Sequence, residues 1–188
     1  MKKTTLAIVL LLSTGLLIAQ KKTTTSATIN FDATTSLDAL PKAENKTGIA
    51  ALDTKTGTVA FEVAIKNFAF TNPRIQEHFN GPGWMNSDKF PTANFKGKIT
   101  NLSAVKFKKD GTYNAQVEGD LTIHGETKPV KTVAVIKIEG KKISSKSDFT
   151  IKLEDYKING GAIAAGKVAK EPTISVSAIF NRSFKPAF

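Results

Sequence analysis

Side chains capable of acid–base or nucleophilic chemistry are few in this chain of 188 residues, which has two histidines and no cysteine. The stretch His124-Gly125-Glu126 lacks the second histidine that a metalloprotease helix needs, and neither a serine nucleophile elbow nor a glycine-rich phosphate loop is present. The absence of cysteine removes thiol catalysis, disulfides and thiolate metal sites. The sequence therefore predicts no catalytic residue, no metal site and no cofactor, and an enzyme is the least favoured class.

The charge of the chain is strongly positive, with 27 lysines and arginines against 16 acidic residues. The lysines recur singly along alternating segments and do not cluster with exposed aromatic residues, so a nucleic-acid partner is not expected. Examples are Lys96, Lys98, Lys131 and Lys137. This pattern favours a solvated exterior, with transient attraction to an anionic membrane surface as the functional alternative.

The N-terminus has the pattern of a secretory signal peptide, because two lysines precede the apolar run Leu6–Ala19. This run of fourteen residues is shorter than the roughly 20 that a membrane-spanning helix needs. We therefore predict that residues 1–19 are a signal peptide, with cleavage after Ala19, and that the protein is secreted into a bacterial periplasm. Residues 20–26 are predicted to be a flexible N-terminal arm, and residues 27–188 the folded domain.

Beyond the leader, apolar and polar residues alternate with period two, and no long helical period occurs. Val59, Phe61 and Val63 share one strand face, for example, while Ala60 and Glu62 share the other. Short turns at residues 53–57, 108–111 and 139–141 predict hairpins between neighbouring strands. The sequence is therefore typical of an all-β meander. Closure into a barrel removes exposed strand edges and is slightly favoured over a two-sheet sandwich.

Two segments interrupt the strand pattern. Residues 73–79 predict a short helix that begins with Pro73 after a Thr71 or Asn72 cap and ends at Asn80-Gly81. Such a helix at a barrel end acts either as a lid or as a plug for the core. The second segment, residues 153–166, is glycine-rich towards its end and is expected near a barrel opening.

Three stretches carry a family resemblance: GDLTIHGETKP at residues 119–129, QEHF at residues 76–79 and MNSDKFPTANFKG at residues 85–97. Together they closely resemble the YceI-like family. The resemblance implies an extended, antiparallel, lipocalin-like β-barrel of about eight strands with a short lid helix. It also implies a periplasmic location and an apolar bore that holds a polyisoprenoid, an isoprenoid quinone or a similar long-chain lipid. Many family members carry an Arg-Asp pair close before the lid histidine, where this chain has Arg74-Ile75-Gln76-Glu77.

Large inward residues alternate with small ones on the predicted strands, which would convert part of a packed core into a bore. The alternative is that the small residues only fit the taper of a filled barrel. The predicted ligand-binding wall consists of Phe61, Val63, Phe68, Phe70, Phe79, Trp84, Met85, Phe95, Leu121, Ile136, Phe149 and Ile151. The candidate polar contacts are His78, Tyr113, Thr132, Ser145 and Ser147.

The sequence leaves several alternatives open. A structural hydrogen bond that holds the lid is the favoured role for His78, with headgroup contact as the alternative. Exposure to solvent or a turn-stabilising hydrogen bond is expected for His124. The main prediction is a carrier or store of lipid, and the alternative is an envelope structural or stress protein with a filled barrel and a basic surface. Strand edges near the openings also leave a homodimer open.

Overall fold

A computed structural model describes residues 21–180, so the predicted signal peptide and residue 20 lie outside the described residues, as do residues 181–188. The strands are β1 (Lys21–Asp32), β2 (Lys42–Asp53), β3 (Thr58–Ala64), β4 (Ala69–Phe70), β5 (Thr92–Ile99), β6 (Gly111–Ile123), β7 (Glu126–Glu139), β8 (Lys142–Thr150) and β9 (Thr173–Phe180). The helices are α1 (Pro73–Asn80) and α2 (Gly161–Ala164), with 3-10 turns at Ile65–Asn67, Leu102–Ala104 and Leu153–Tyr156. Between residues 21 and 180, no helix is both long and apolar enough to cross a bilayer.

Eight of the strands form a closed antiparallel barrel in the order β1-β2-β3-β5-β6-β7-β8-β9. Closure comes from β9, which pairs with β1 from Thr28–Ser177 to Asp32–Thr173. The two-residue strand β4 pairs with β2 as a ninth strand outside this cycle. The all-β barrel prediction is therefore confirmed, and the sandwich alternative is wrong because the sheet closes on itself.

The up-and-down order gives the barrel two different ends. We call the end formed by residues 33–41, 65–91, 124–125 and 151–172 the mouth, and it carries α1 and α2. The opposite end, formed by the loops at residues 54–57, 100–110 and 140–141, is called the base. Strand β1 begins at the base and ends at the mouth, and β9 returns to the base.

The predicted alternation places apolar residues inside the barrel. On β6 the buried residues Ala115, Val117, Leu121 and Ile123 follow one another at every second position, apart from Gly119. The buried residues form two clusters, one towards the mouth and one towards the base, and the half-buried Phe95 packs against both. The interior is therefore a single column of apolar side chains with Phe95 at its waist.

Residues 21–26 correct the prediction of a flexible arm. They form the first half of β1, in which Lys21 to Thr24 pair with Asp53 to Ala50 of β2. The physical reason is that β-branched threonines suit a paired strand. A second difference concerns the turn at residues 108–111, because the whole connection from β5 to β6 spans residues 100–110 and contains a 3-10 turn.

Candidate ligand-binding cavity

The barrel interior contains an apolar cavity of about 170 Å³ whose wall comes from both core clusters. Ten of the twelve predicted wall residues line it: Phe61, Val63, Phe68, Phe79, Met85, Phe95, Leu121, Ile136, Phe149 and Ile151. Strands β1 and β9 add Ile29, Phe31, Ile174, Val176 and Phe180, which the predicted wall omits. These apolar residues alternate with outward-facing ones along β1 and β9, and this pattern was sufficient to predict them, because in a closed barrel every strand contributes one inward face.

Phe70 and Trp84 do not line the cavity. They pack against Phe79, which lines it. The Phe79 ring centroid lies 4.9 Å from that of Phe70 and 5.3 Å from that of Trp84. Phe31 and Phe68 contact the same ring at 5.7 and 5.8 Å. Phe79 is therefore the plug of the mouth, and two of the predicted wall residues are its support.

The helix that carries Phe79 begins as predicted. Asn72, one of the two candidate caps, accepts a hydrogen bond through Oδ1 from the backbone N–H of Arg74 at 2.9 Å, and Pro73 is the first helical residue. The chain turns away at Gly81, whose N–H donates to the carbonyl oxygens of Glu77 and His78. Helix α1 thus closes the mouth with one buried aromatic side chain, which combines the predicted lid and plug.

His78 is on the outer side of this helix. It is exposed and contributes, with Trp84 and residues of the 161–168 segment, to a separate depression at the mouth. No side-chain hydrogen bond of His78 occurs among residues 21–180, so the predicted bond that holds the lid is absent there. Packing of Phe79 holds the lid instead, and His78 does not reach the bore.

Two of the predicted polar contacts are occupied with each other. Thr132 Oγ1 and Ser147 Oγ lie 2.9 Å apart, and Ser147 Oγ also donates to the Val133 carbonyl oxygen at 3.0 Å. Both line the cavity at the point where the pairing of β7 with β8 ends, at Ala134–Ser147. These hydroxyls therefore satisfy backbone and side-chain groups where two strands separate.

Ser145 and Tyr113 complete the predicted polar set. Ser145 lines the cavity, and within the described part of the chain its hydroxyl has no hydrogen-bond partner, so it is free to bind a ligand oxygen. The Tyr113 hydroxyl donates to the Lys109 carbonyl oxygen at 2.9 Å, near the base, and Tyr113 does not line the cavity. The polar contact predicted at Tyr113 is therefore corrected to a bond that fixes a base loop.

His124 has a structural position at the mouth. Its Nδ1 lies 3.0 Å from the Tyr156 carbonyl oxygen, and because that oxygen only accepts, the proton must be on Nδ1. Its ring packs against Phe90 with the centroids 4.4 Å apart and the planes tilted by 60°, and its φ of 53° belongs to the tight turn with Gly125. The expected turn-stabilising hydrogen bond exists, and it also ties the β6–β7 hairpin to the 3-10 turn at Leu153–Tyr156.

The cavity has room for a short stretch of hydrocarbon. A cavity of about 150 Å³ holds one benzene-sized molecule, so about half a dozen carbon-sized groups fit in the 170 Å³ bore. This is below the ~300–1,000 Å³ of most small-molecule pockets. A longer lipid must therefore widen the bore or extend through the mouth past α1.

The comparisons with known proteins agree with this architecture. The YceI-like domain family matches residues 18–180. The chain belongs to the YceI-like family. The comparison with curated proteins finds no match.

Three solved structures show the fold of this family member. A polyisoprenoid binding domain from Saccharophagus degradans, implicated in plant cell wall breakdown, is 10% identical with a TM-score of 0.72, and the match covers 88% of this chain and 99% of that one. Burkholderia cenocepacia BcnA is 16% identical with a TM-score of 0.54, covering 86% and 97% of the two chains. A Campylobacter jejuni YceI protein is 18% identical with a TM-score of 0.57, covering 73% and 81%.

Proposed function

We propose that this YceI-like protein is a periplasmic binding protein that holds a polyisoprenoid, an isoprenoid quinone or a similar long-chain lipid in its bore, for transport or storage. The observation that carries the proposal is the apolar cavity inside the barrel, which continues through both core clusters. The polyisoprenoid-binding domain of the same fold supports the ligand class. No step that makes or breaks a bond is part of this function, and no cofactor other than the bound lipid is proposed.

The energetics suit a hydrocarbon ligand. Each buried methylene stabilises the bound state by about 0.8 kcal/mol, so half a dozen groups contribute on the order of 5 kcal/mol before the cost of ordering the chain. Polar groups add little, because Thr132 and Ser147 are paired with each other and Ser145 is a single free hydroxyl. The bore would therefore discriminate between lipids by their length and shape.

Location and assembly are part of the same proposal. The predicted signal peptide would deliver the protein to the periplasm, and transient contact with an anionic membrane surface is part of the proposal. A homodimer also stays a prediction, and the elution volume of the mature protein in size-exclusion chromatography tests it.

The experiment is mass spectrometry of organic extracts from the purified mature protein, with Ala134→Trp as the test variant. Ala134 is buried and lines the cavity, so an indole there fills the bore. Val135→Trp is the matched control, because the next residue of the same strand faces outwards and is exposed. We expect a stoichiometric lipid in the wild type and in Val135→Trp, and its loss from a folded Ala134→Trp protein.

The same experiment decides for or against the alternative, an envelope structural or stress protein with a filled barrel. The small size of the cavity is the observation that favours this second function. A wild type that is stable and carries no lipid, together with an Ala134→Trp variant that is strongly destabilised, would support the filled barrel and overturn the carrier.

A further inference from the structure

The base of the barrel carries a concentration of positive charge that single lysines along the sequence do not reveal. Its three loops contain five lysines and one acidic residue, Asp110, whereas the mouth loops contain seven basic and six acidic residues. The five base lysines are Lys55, Lys106, Lys108, Lys109 and Lys141, and all are exposed. The net positive charge of the loops is therefore at the end opposite the lid.

The five base-loop lysines have no carboxylate salt-bridge partner among residues 21–180. Salt bridges engage lysines of the barrel wall and the mouth, such as Lys131 with Glu118 and Lys66 with Asp88. The carboxylate of Asp110 forms a hydrogen bond with the backbone and no salt bridge with a base-loop lysine, since its Oδ1 accepts from the Gly140 N–H at 2.9 Å. The positive charges of the base thus stay available to an external partner.

The base loops are held together as one surface. The Asp110–Gly140 bond joins two of them. The third is held at Gly57, whose carbonyl oxygen accepts at 2.9 Å from the N–H of Ile99, the residue directly before the 100–110 loop. Val105 is buried and Phe107 packs against the base cluster, which leaves the neighbouring Lys106 and Lys108 outside. The lysines are therefore presented by ordered loops.

The chain enters and leaves the described barrel at this same end. Strand β1 begins at the base with Lys21, after a segment whose sequence includes the apolar run Leu6–Ala19. Strand β9 ends there at Phe180, and the sequence that follows contains Arg182 and Lys185. The predicted signal peptide would therefore join the domain at the base.

We propose that the base is a docking surface for an anionic lipid bilayer, oriented so that the mouth points away from that bilayer. The docking proposal rests on the proposed function only in its contact with a membrane, which it assigns to one end of the barrel. Docking requires no lipid bound in the bore. Charge complementarity carries the proposal: each lysine near an anionic surface strengthens binding about fivefold, and this attraction falls off within a Debye length of about 8–10 Å. Lysines of the mouth loops, balanced by nearby acids, do not provide a comparable field.

The test is binding of the mature protein to vesicles, with phosphatidylcholine alone compared with phosphatidylcholine that contains phosphatidylglycerol. The base variant reverses three charges, Lys108→Glu, Lys109→Glu and Lys141→Glu. The matched mouth variant makes the same charge change with Lys152→Glu, Lys167→Glu and Lys170→Glu, three exposed lysines that also lack salt bridges among the described residues. Circular dichroism melts confirm that both variants are folded.

We expect binding to the anionic vesicles only, weakened by high salt, reduced on the order of a hundredfold in the base variant and changed less than about threefold in the mouth variant. An equal or larger loss in the mouth variant overturns the proposal, as does equal binding of the wild type to neutral vesicles or no binding at low salt. Mass spectrometry of extracted lipid separates the two proposals. Base docking with no cargo would contradict only lipid carriage, and cargo without base docking would contradict only this inference.

Discussion

Phe95 shows how individual residues shape the interior of the barrel. Gly97 and Gly119 face each other on β5 and β6, and the Phe95 ring lies across both. A Cβ added at Gly119 would lie 2.7 Å from Phe95 Cζ and 2.4 Å from the Lys96 carbonyl oxygen. The two glycines therefore let a large aromatic ring lie against the wall at the waist of the bore.

Gly119→Ala is predicted to destabilise the fold by about 1–3 kcal/mol, because the new methyl group meets both backbone and ring. Gly83→Ala is the control, since a Cβ there meets nothing within 4 Å. Urea unfolding of both variants gives the comparison. Adding Phe95→Leu to Gly119→Ala should recover only part of the loss, because the contact with the Lys96 carbonyl oxygen persists; full recovery would show that the ring alone made the site tight.

Tyr156 provides a pH-dependent test of the mouth. Burial of its side chain, with a smaller effect of Asp155, raises its pKa to about 12. A raised pKa means that the fold favours the neutral phenol, so this stabilisation is complete below the unfolded pKa of about 10 and is lost as the pH rises towards 12.

The free energy of unfolding should therefore fall between about pH 10 and pH 12, partly because of Tyr156. The measurement is the difference between wild type and Tyr156→Phe in urea unfolding at each pH, because this difference isolates the contribution of Tyr156. We expect the wild type to lose stability more steeply than the variant. Parallel curves would show that Tyr156 ionises as freely in the folded protein as in the unfolded chain.

At the scale of elements, helix α1 was predictable in its bounds but not in its contacts. Asn72 and Pro73 are a local signal for a helix start, and the structure follows it. The role of His78 depended on which helix face meets the barrel, and a helix of eight residues has too few apolar positions to settle that from the sequence. The bore contact of Phe79 was predicted, whereas the support by Phe70 and Trp84 required the tertiary fold.

Phe79→Ala should release α1 from the mouth, because the ring packs against four aromatic side chains and burial of such a ring is worth about 3–5 kcal/mol. His78→Ala is the matched control on the same helix, and its exposed side chain predicts little change. Amide hydrogen exchange over residues 73–80 and the fluorescence of Trp84, the single tryptophan, report the lid. Equal exchange in the two variants would mean that Phe79 does not hold the helix.

At the scale of the whole molecule, the sequence predicted closure and the inward faces but missed features that exist only after closure. Alternation on β6 and β7 identified Leu121 and Ile136 as wall residues. The hydrogen bond between Thr132 and Ser147 depends on where β7 and β8 separate. The positive charge at the base depends on three loops, distant in sequence, that meet at one end of the barrel. Periodicity along one strand contains none of that information.

The first half of β1 provides the last test, because a flexible arm and a paired strand predict opposite results. A mature protein that starts at Ala27 loses the pairing of Lys21–Thr24 with Ala50–Asp53 and exposes that edge of β2, while the pairing of β1 with β9 stays intact. We expect a lower Tm, by about 2–4 °C for each kcal/mol lost, and slow amide exchange at residues 21–24 of the longer protein. Replacement of residues 21–26 by a glycine-serine segment of equal length separates chain length from strand pairing. If all three proteins melt at the same temperature, these residues contribute no stabilising pairing and the barrel closes through β1 from Ala27 onwards.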